Sequence, residues 1–509
     1  MTVVLRGTGL SFNDIVAVAR GLDVVELSRE ARAVVDASHQ SVERLAASGV
    51  PVYGVSTGFG SLATVYIDPG RRAELQRSLV RSHAAGMGEP VEIEVVRAMM
   101  LSRARSLSMG WSGVRAAVIE GLLQLLNHRI TPVVPEHGSL GCSGDLAPLA
   151  HVALVLMGEG EVWIDGDRRP VAPALAAAGL APVVLDVKEG LALINGTDGM
   201  LAMLVLAAVD AAQLLRTADL TAAMSIEALL GTDAVFVPEL HRIRPHPGQQ
   251  RSAANILRLL AGSAIVASHL HDDPRVQDAY SLRCAPQVHG AARDTLTFVE
   301  DVCRRELDSA IDNPMVLPDG RVSSNGNFHG APLGYAADFL AIALADVGSM
   351  AERRTDRQLD ARRSQGLPPF LAHDPGVDSG LMIAQYTAAA LVAENKRLAA
   401  PASVDSIPTS AMQEDHVSMG WAAARKLRKV VNNLRAILAI EMTTAARAIE
   451  LRAPLAPAPA TKAAVGLLRA SVPGAGPDRW LAPELETANE LLASGAVVDA
   501  VNATIGPLQ

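Results

Sequence analysis

Apolar residues recur along much of this chain at steps of three and four, the period of a helix with one buried face. The spacing predicts a helix over 71–85 and a second whose stripe is Val288, Ala292, Leu296, Val299 and Cys303. A third follows the near-heptad Leu427, Val431, Leu434, Leu438 and Met442. The stretches 332–353 and 379–397 are Ala-rich and apolar on more than one face, so their helices need cover on several sides. The most apolar stretch, 200–215, is interrupted by Asp210 and flanked by Asp198 and Arg216. It falls short of the roughly 20 apolar residues of a membrane span and reads as a core helix. A bundle of long helices, completed by other subunits, is the simplest architecture for such faces.

The first third of the chain reads differently, with short helical stretches between glycine-rich turns. Gly54, Gly58 and Gly60 mark 51–60 as a loop, and a second glycine-rich loop covers 138–145. The run Glu161-Val-Trp-Ile-Asp165 before Gly166-Asp167 predicts a small exposed hairpin. Pro454, Pro457 and Pro459 end the bundle before a shorter amphipathic tail. The fold class is therefore mainly α: a long-helix bundle core with a mixed, loop-rich N-terminal part. The division is expected near Asn195, as 1–195 and 196–509. No internal repeat appears.

Composition narrows the function. At 509 residues the chain buries a large core, and with aromatics at only 3% that core must be filled by Ala, Leu, Val and Ile. A net charge of -9 gives no basic footprint for nucleic acid or an anionic membrane. Cys142, Cys284 and Cys303 are too few for a disulfide framework, and the N-terminus has no secretory pattern. A cytoplasmic enzyme is the expectation. Cys284 and Cys303 fall in helical patterns and read as core residues.

Several motifs carry little. Gly58-Phe-Gly-Ser-Leu-Ala63 matches a dinucleotide fingerprint, but no βαβ pattern follows it. The residues around Ser143 lack the last glycine of a nucleophile elbow, and there is no P-loop. His269-Leu-His-Asp-Asp273 reads as a solvated loop, so no metal is expected.

The segment Gly138-Ser-Leu-Gly-Cys-Ser-Gly-Asp-Leu-Ala-Pro-Leu-Ala-His151 is the informative one. Its plain reading is a turn leading into a helix capped by Asp145. The whole segment, however, resembles the signature of the histidine and aromatic amino acid ammonia-lyases. In that family a three-residue unit, Ala-Ser-Gly or a variant, cyclises into 4-methylidene-imidazol-5-one. Here the unit is Cys142-Ser143-Gly144. Closure requires the Gly144 nitrogen to reach the Cys142 carbonyl carbon, an approach that a residue without Cβ permits. Loss of water from Ser143 leaves an exposed methylidene, and no external cofactor is needed. Cys142 stands where Ala is expected; only its backbone enters the ring, so cyclisation is not blocked.

The resemblance extends from about Tyr53 to beyond Met419, through separated motifs in the family's order. Tyr53 in Y-G-V-S-T-G-F-G, His83 in R-S-H-A-A-G and Asn195 in L-I-N-G-T match family positions. So do Gln277, Tyr280 and Arg283 in V-Q-D-A-Y-S-L-R, Phe328 in G-N-F-H-G, and Gln413 and Glu414 in Q-E-D-H-V-S-M. Each alone has a dull alternative: Arg283 a surface ion-pair partner, Tyr280 a helix-face residue, Asn195 a helix cap. By resemblance, Tyr280 is the base for the β-proton and Tyr53 handles protons near the amine. Arg283 offers a planar fork to the α-carboxylate. Asn195 and Gln277 hydrogen-bond a carbonyl or the carboxylate, and His83, Phe328 and Gln413 line the substrate. A phenol with an ordinary pKa of about 10 needs help to ionise. The attacking amine must be unprotonated, which implies an alkaline optimum.

Met412-Gln413-Glu414 stands where phenylalanine- and tyrosine-specific relatives read N-Q-D. A carboxylate at 414 can accept from an imidazole N–H but gains nothing from a phenyl ring. L-Histidine is thus the expected substrate and trans-urocanate the product. A tyrosine or phenylalanine ammonia-lyase, or an aminomutase, is the alternative within the family. An inactive helical scaffold is disfavoured by the retained site residues, and a fumarase-like lyase by the missing G-S-S-x-M-P motif. The resemblance also implies a homotetramer with active sites shared between subunits.

Overall fold

The computed structural model describes residues 2–47, 57–58, 64–141, 144–271 and 273–509. They are predominantly helical, and they form two compact units that interleave along the chain. The first comprises 1–207, 300–338 and 401–425; the second comprises 208–299, 339–400 and 426–509. Neither is a consecutive stretch like the 1–195 and 196–509 expected from sequence. Four of the five boundaries fall inside the longest described helices, Asp198–Ala228, Ala285–Leu307, Ala331–Leu359 and Gly420–Glu450, and the fifth follows Met382–Leu398.

The first unit is built around the helix Ile93–Ser108, in which every residue from Val95 to Ser108 is buried. Burial on all sides is what a helix at the centre of a domain requires. It packs on Phe12–Ala19 and Ala116–Asn127. Its arginines are anchored on backbone: Arg97 Nη2 donates to Val18 O at 2.9 Å, and Arg105 Nη2 to Glu306 O at 3.1 Å. Without a counter-charge, burial pushes the Arg97 guanidinium down to about 10. A parallel pair, Thr2–Leu5 with Val24–Leu27, lies at one end of the sequence. The predicted hairpin is present as antiparallel Glu161–Ile164 and Asp167–Pro170, extended by Thr131–Pro132.

In the second unit the predicted stripe Leu427, Val431, Leu434, Leu438 and Met442 is buried throughout. Arg354 and Glu441 form a fully buried bidentate pair there, at 2.5 and 3.1 Å, and Ser225 donates to the same carboxylate. The proline-marked break is followed by Pro459–Arg469, Ala482–Ala493 and Ala496–Ile505. Among the described residues, two helical stretches are long and apolar enough to cross a membrane, Glu189–Ala228 and Ala331–Leu359. The most apolar window of the first is 94% buried, which is the core-helix reading. The second keeps Tyr335, Phe339 and Ile342 exposed. Cys303 is buried as expected, while Cys284 is only half-buried at the junction of Tyr280–Arg283 and Ala285–Leu307. His269 bonds the carbonyls of Ile265 and Gly231, and no metal-holding cluster occurs among the described residues.

Candidate active site

The loop 138–145 is held by its own side chains. Ser139 Oγ donates to Asp145 Oδ1 at 2.9 Å and accepts from Gly141 N at 3.0 Å. Gly141 and Gly144 form an antiparallel bridge across the turn; Cys142 and Ser143 lie outside the described residues, as does Tyr53. Two glycines are required here. Gly144 has φ +81°, and a Cβ on it would sit 2.2 Å from Gly196 O; Gly141 has φ +70° and would place one 2.2 Å from Ser418 Oγ. Asp145 N donates to Gly196 O at 2.7 Å, and Met419 N to Leu140 O at 2.9 Å.

Asp145 precedes the helix Leu146–Leu156 but does not cap it with its side chain, contrary to the plain sequence reading. Its carboxylate instead accepts from Met200 N at 2.8 Å, at the start of the helix Asp198–Ala228. Complete burial raises its pKa to about 7 against those hydrogen bonds.

Asn195 ends the short helix Glu189–Ile194. Its Nδ2 donates to Asn313 O at 2.8 Å and faces Asp312 Oδ1 at 3.5 Å, while its Oδ1 is buried without a partner. Asp312 Oδ2 holds Lys188 Nζ at 2.5 Å, and both residues are buried. Burial lowers the Lys188 pKa, and Asp312 opposes that shift. Sequence reasoning missed this pair. No local signal marks it, since Asp312 lies 124 positions from Lys188.

His83 closes the helix Arg72–His83, close to the predicted 71–85. Its Nδ1 lies 2.9 Å from Leu79 O and so carries the proton, leaving Nε2 as the acceptor. Burial lowers its pKa, partly offset by Leu79 O and by the nearby Glu414 carboxylate. His83 and Glu414 both belong to the first unit. Glu414 is half-buried, and Thr409 Oγ1 donates to its Oε2 at 2.5 Å. The loop between them places Ser410, Ala411 and Met412 at φ of 50°, 52° and 69°, a strained run for residues with side chains. Gln413 is exposed and Phe328 half-buried. The rings of His329 and His416 stack at 5.7 Å.

Gln277, Tyr280 and Arg283 belong to the second unit. The Arg283 guanidinium lies 4.6 Å from the Tyr280 ring centroid, and its Nε donates to Asp278 O at 3.0 Å. Below them Arg275 ties Asp273 and Asp278 together. Gln277 is exposed and Tyr280 is 70% exposed, so this chain leaves both on open surface.

A sequence profile described as aromatic amino acid lyase matches residues 10–470. The chain belongs to the aromatic amino acid lyase family. Its similarity to individual members runs end to end. It is 62% identical to the histidine ammonia-lyase of Streptomyces avermitilis, over all of this chain and 99% of that one. Among solved structures, the tyrosine aminomutase of Streptomyces globisporus matches with a TM-score of 0.95 at 39% identity, covering both chains completely. The histidine ammonia-lyase of Trypanosoma cruzi matches with 0.92 at 40%, over 99% of this chain and 96% of that one. An aromatic amino acid lyase is an enzyme, and the long-helix architecture expected of the family is the one observed.

Proposed function

We propose that this chain is a histidine ammonia-lyase, eliminating ammonia from L-histidine to give trans-urocanate. The observation that carries the substrate is the half-buried Glu414 carboxylate, held at Oε2 by Thr409 Oγ1 in the same unit as His83. A half-buried carboxylate suits a ring that carries an N–H, and would be left unsatisfied by phenyl. The end-to-end identity of 62% to a histidine ammonia-lyase supports the same reading.

Cys142-Ser143-Gly144 is the segment that would form 4-methylidene-imidazol-5-one, and its surroundings fit. The flanking glycine bridge, the positive φ of Gly144 and the absence of room for a Cβ there favour a closed turn. Once formed, the group supplies an electrophile that makes the substrate's amine a leaving group. The rest falls to ordinary side chains. Arg283 pairs with the α-carboxylate, Tyr280 takes the β-proton and Tyr53 serves the amine. Glu414 accepts from the substrate imidazole N–H, and His83 lines the ring. Asn195, Gln277, Phe328 and Gln413 complete the lining. Exposure of Gln277 and Tyr280 in a single chain supports a homotetramer whose sites are shared between subunits. A cytoplasmic enzyme is the reading that the net charge of -9 and the three scattered cysteines support.

The test follows near-UV absorbance of the purified protein with L-histidine, L-tyrosine and L-phenylalanine at mildly alkaline pH, alongside its intact mass. A urocanate spectrum with histidine only, from a protein two water molecules lighter than its sequence, is expected. Growth with tyrosine or phenylalanine instead would overturn the substrate, a β-amino acid product would make it an aminomutase, and an unaltered mass would remove the prosthetic group.

A further inference from the structure

Lys188 and Asp312 form an ion pair that stability alone does not explain. Both are buried, at 2.5 Å from nitrogen to oxygen, and taking two charges out of water commonly costs as much as their attraction returns. Lys188 also holds φ at +68°, a left-handed conformation unfavourable for a residue with a side chain. Lys188 and Asn195 bracket the helix Glu189–Ile194, and Asp312 touches both of them.

The consequence lies in which end of the Asn195 carboxamide is offered. Its Nδ2 faces two acceptors, Asn313 O at 2.8 Å and Asp312 Oδ1 at 3.5 Å. Turning the amide over would set its oxygen against both, so the orientation is dictated by the network. Asp312 cannot rotate to relieve this, because Oδ2 holds Lys188 and Oδ1 accepts from Asn313 N at 2.7 Å. What remains is Asn195 Oδ1, buried and without a donor, on the residue next to Gly196, whose carbonyl receives Asp145 N beside Gly144. An unpartnered buried acceptor calls for an N–H or O–H. It cannot bond a carboxylate or a carbonyl, the partners that family resemblance implies for Asn195.

We propose that the Lys188–Asp312 pair is a positioning device that holds Asn195 with Oδ1 presented as an acceptor for the substrate's amine. Lys188 and Asp312 touch no substrate; they act through the amide. This inference rests on the proposed function and deepens its account of how the amine is held.

The test compares two neutral double variants, so that neither leaves a lone charge buried. Lys188→Met/Asp312→Asn keeps an acceptor oxygen for Asn195 Nδ2, whereas Lys188→Met/Asp312→Leu removes it. For each, kcat and KM are measured with L-histidine, and the inhibition constant with 3-(imidazol-4-yl)propanoate, which lacks the amine. The Asn double is expected within about threefold of the unaltered enzyme, and the Leu double to lose kcat/KM about tenfold or more. Binding of the amine-free acid is expected to change less than about twofold in both, with cooperative melting and the two-water mass deficit retained. Equal kcat/KM in the two doubles, or parallel weakening of histidine and the amine-free acid, would overturn the proposal. If the Leu double does not fold, failure of the Asn double to keep kcat/KM overturns it as well. Turnover of histidine by the unaltered enzyme in the same series reports separately on the proposed function.

Discussion

Under the proposed function, the choice between imidazole and phenyl rests at Glu414 on a hydrogen bond to a carboxylate. Such bonds contribute about 1.5–3 kcal/mol, so Glu414→Gln is expected to lower kcat/KM for histidine roughly 10- to 100-fold. The intact mass should keep its two-water deficit; an unchanged rate would remove Glu414 from substrate recognition. Asp145 gives a second test at the same scale. Its pKa is raised to about 7 in the folded chain, above the ordinary carboxylate value of 3.8. A raised carboxyl contributes stability in full below its unfolded pKa, and loses it as pH rises through the folded one. The melting temperature of the parent relative to Asp145→Asn is therefore expected to fall between pH 4 and pH 7 and then level off. A difference independent of pH over that range would contradict the burial argument.

At the scale of elements, the glycine turn and the segment leading into the helix Gly420–Glu450 are packed without slack. Ser418 Oγ donates to Gly141 O at 3.0 Å and accepts from Gly420 N at 3.1 Å, while Met419 N bonds Leu140 O. Gly141→Ala would force a positive φ on alanine and drive its Cβ into Ser418 Oγ. The strain alone costs about 1–3 kcal/mol. We expect a lower melting temperature and a smaller fraction of chains carrying the mass deficit. A variant that melts and cyclises like the parent would show that the turn has room. The helix Asp198–Ala228 matters to the same loop, since its Met200 N is the donor that draws Asp145 away from capping.

At the scale of the whole molecule, the exposed apolar residues tell the same story as the exposed site residues. Tyr335, Phe339, Ile342, Ile383 and Tyr386 are each at least 45% exposed on helices that are otherwise core-forming. A soluble chain rarely leaves such faces open unless copies of it cover them. If the sites are shared, two separately inactive chains, Ser143→Ala and Tyr280→Phe, should regain activity when co-expressed. Activity that stays absent in assemblies shown to contain both chains would argue for sites confined to one subunit.

The amino-acid sequence alone determined the helical periods, the turn at 138–145 and the family motifs. These are local patterns: a buried face repeats every three or four residues, and a glycine turn is written in consecutive letters. Hence 71–85 anticipated Arg72–His83, and the stripe from Leu427 to Met442 proved buried. Which charges leave water was decided only by the tertiary structure. Asp145 reads as a cap and becomes a buried anchor. Lys188, which no local pattern marks, becomes half of an internal pair with Asp312. The interleaving of the two units was equally invisible, because long helices carry the chain from one unit to the other without any change of pattern. Burial of a charge is set by partners distant in sequence, and no local periodicity encodes them.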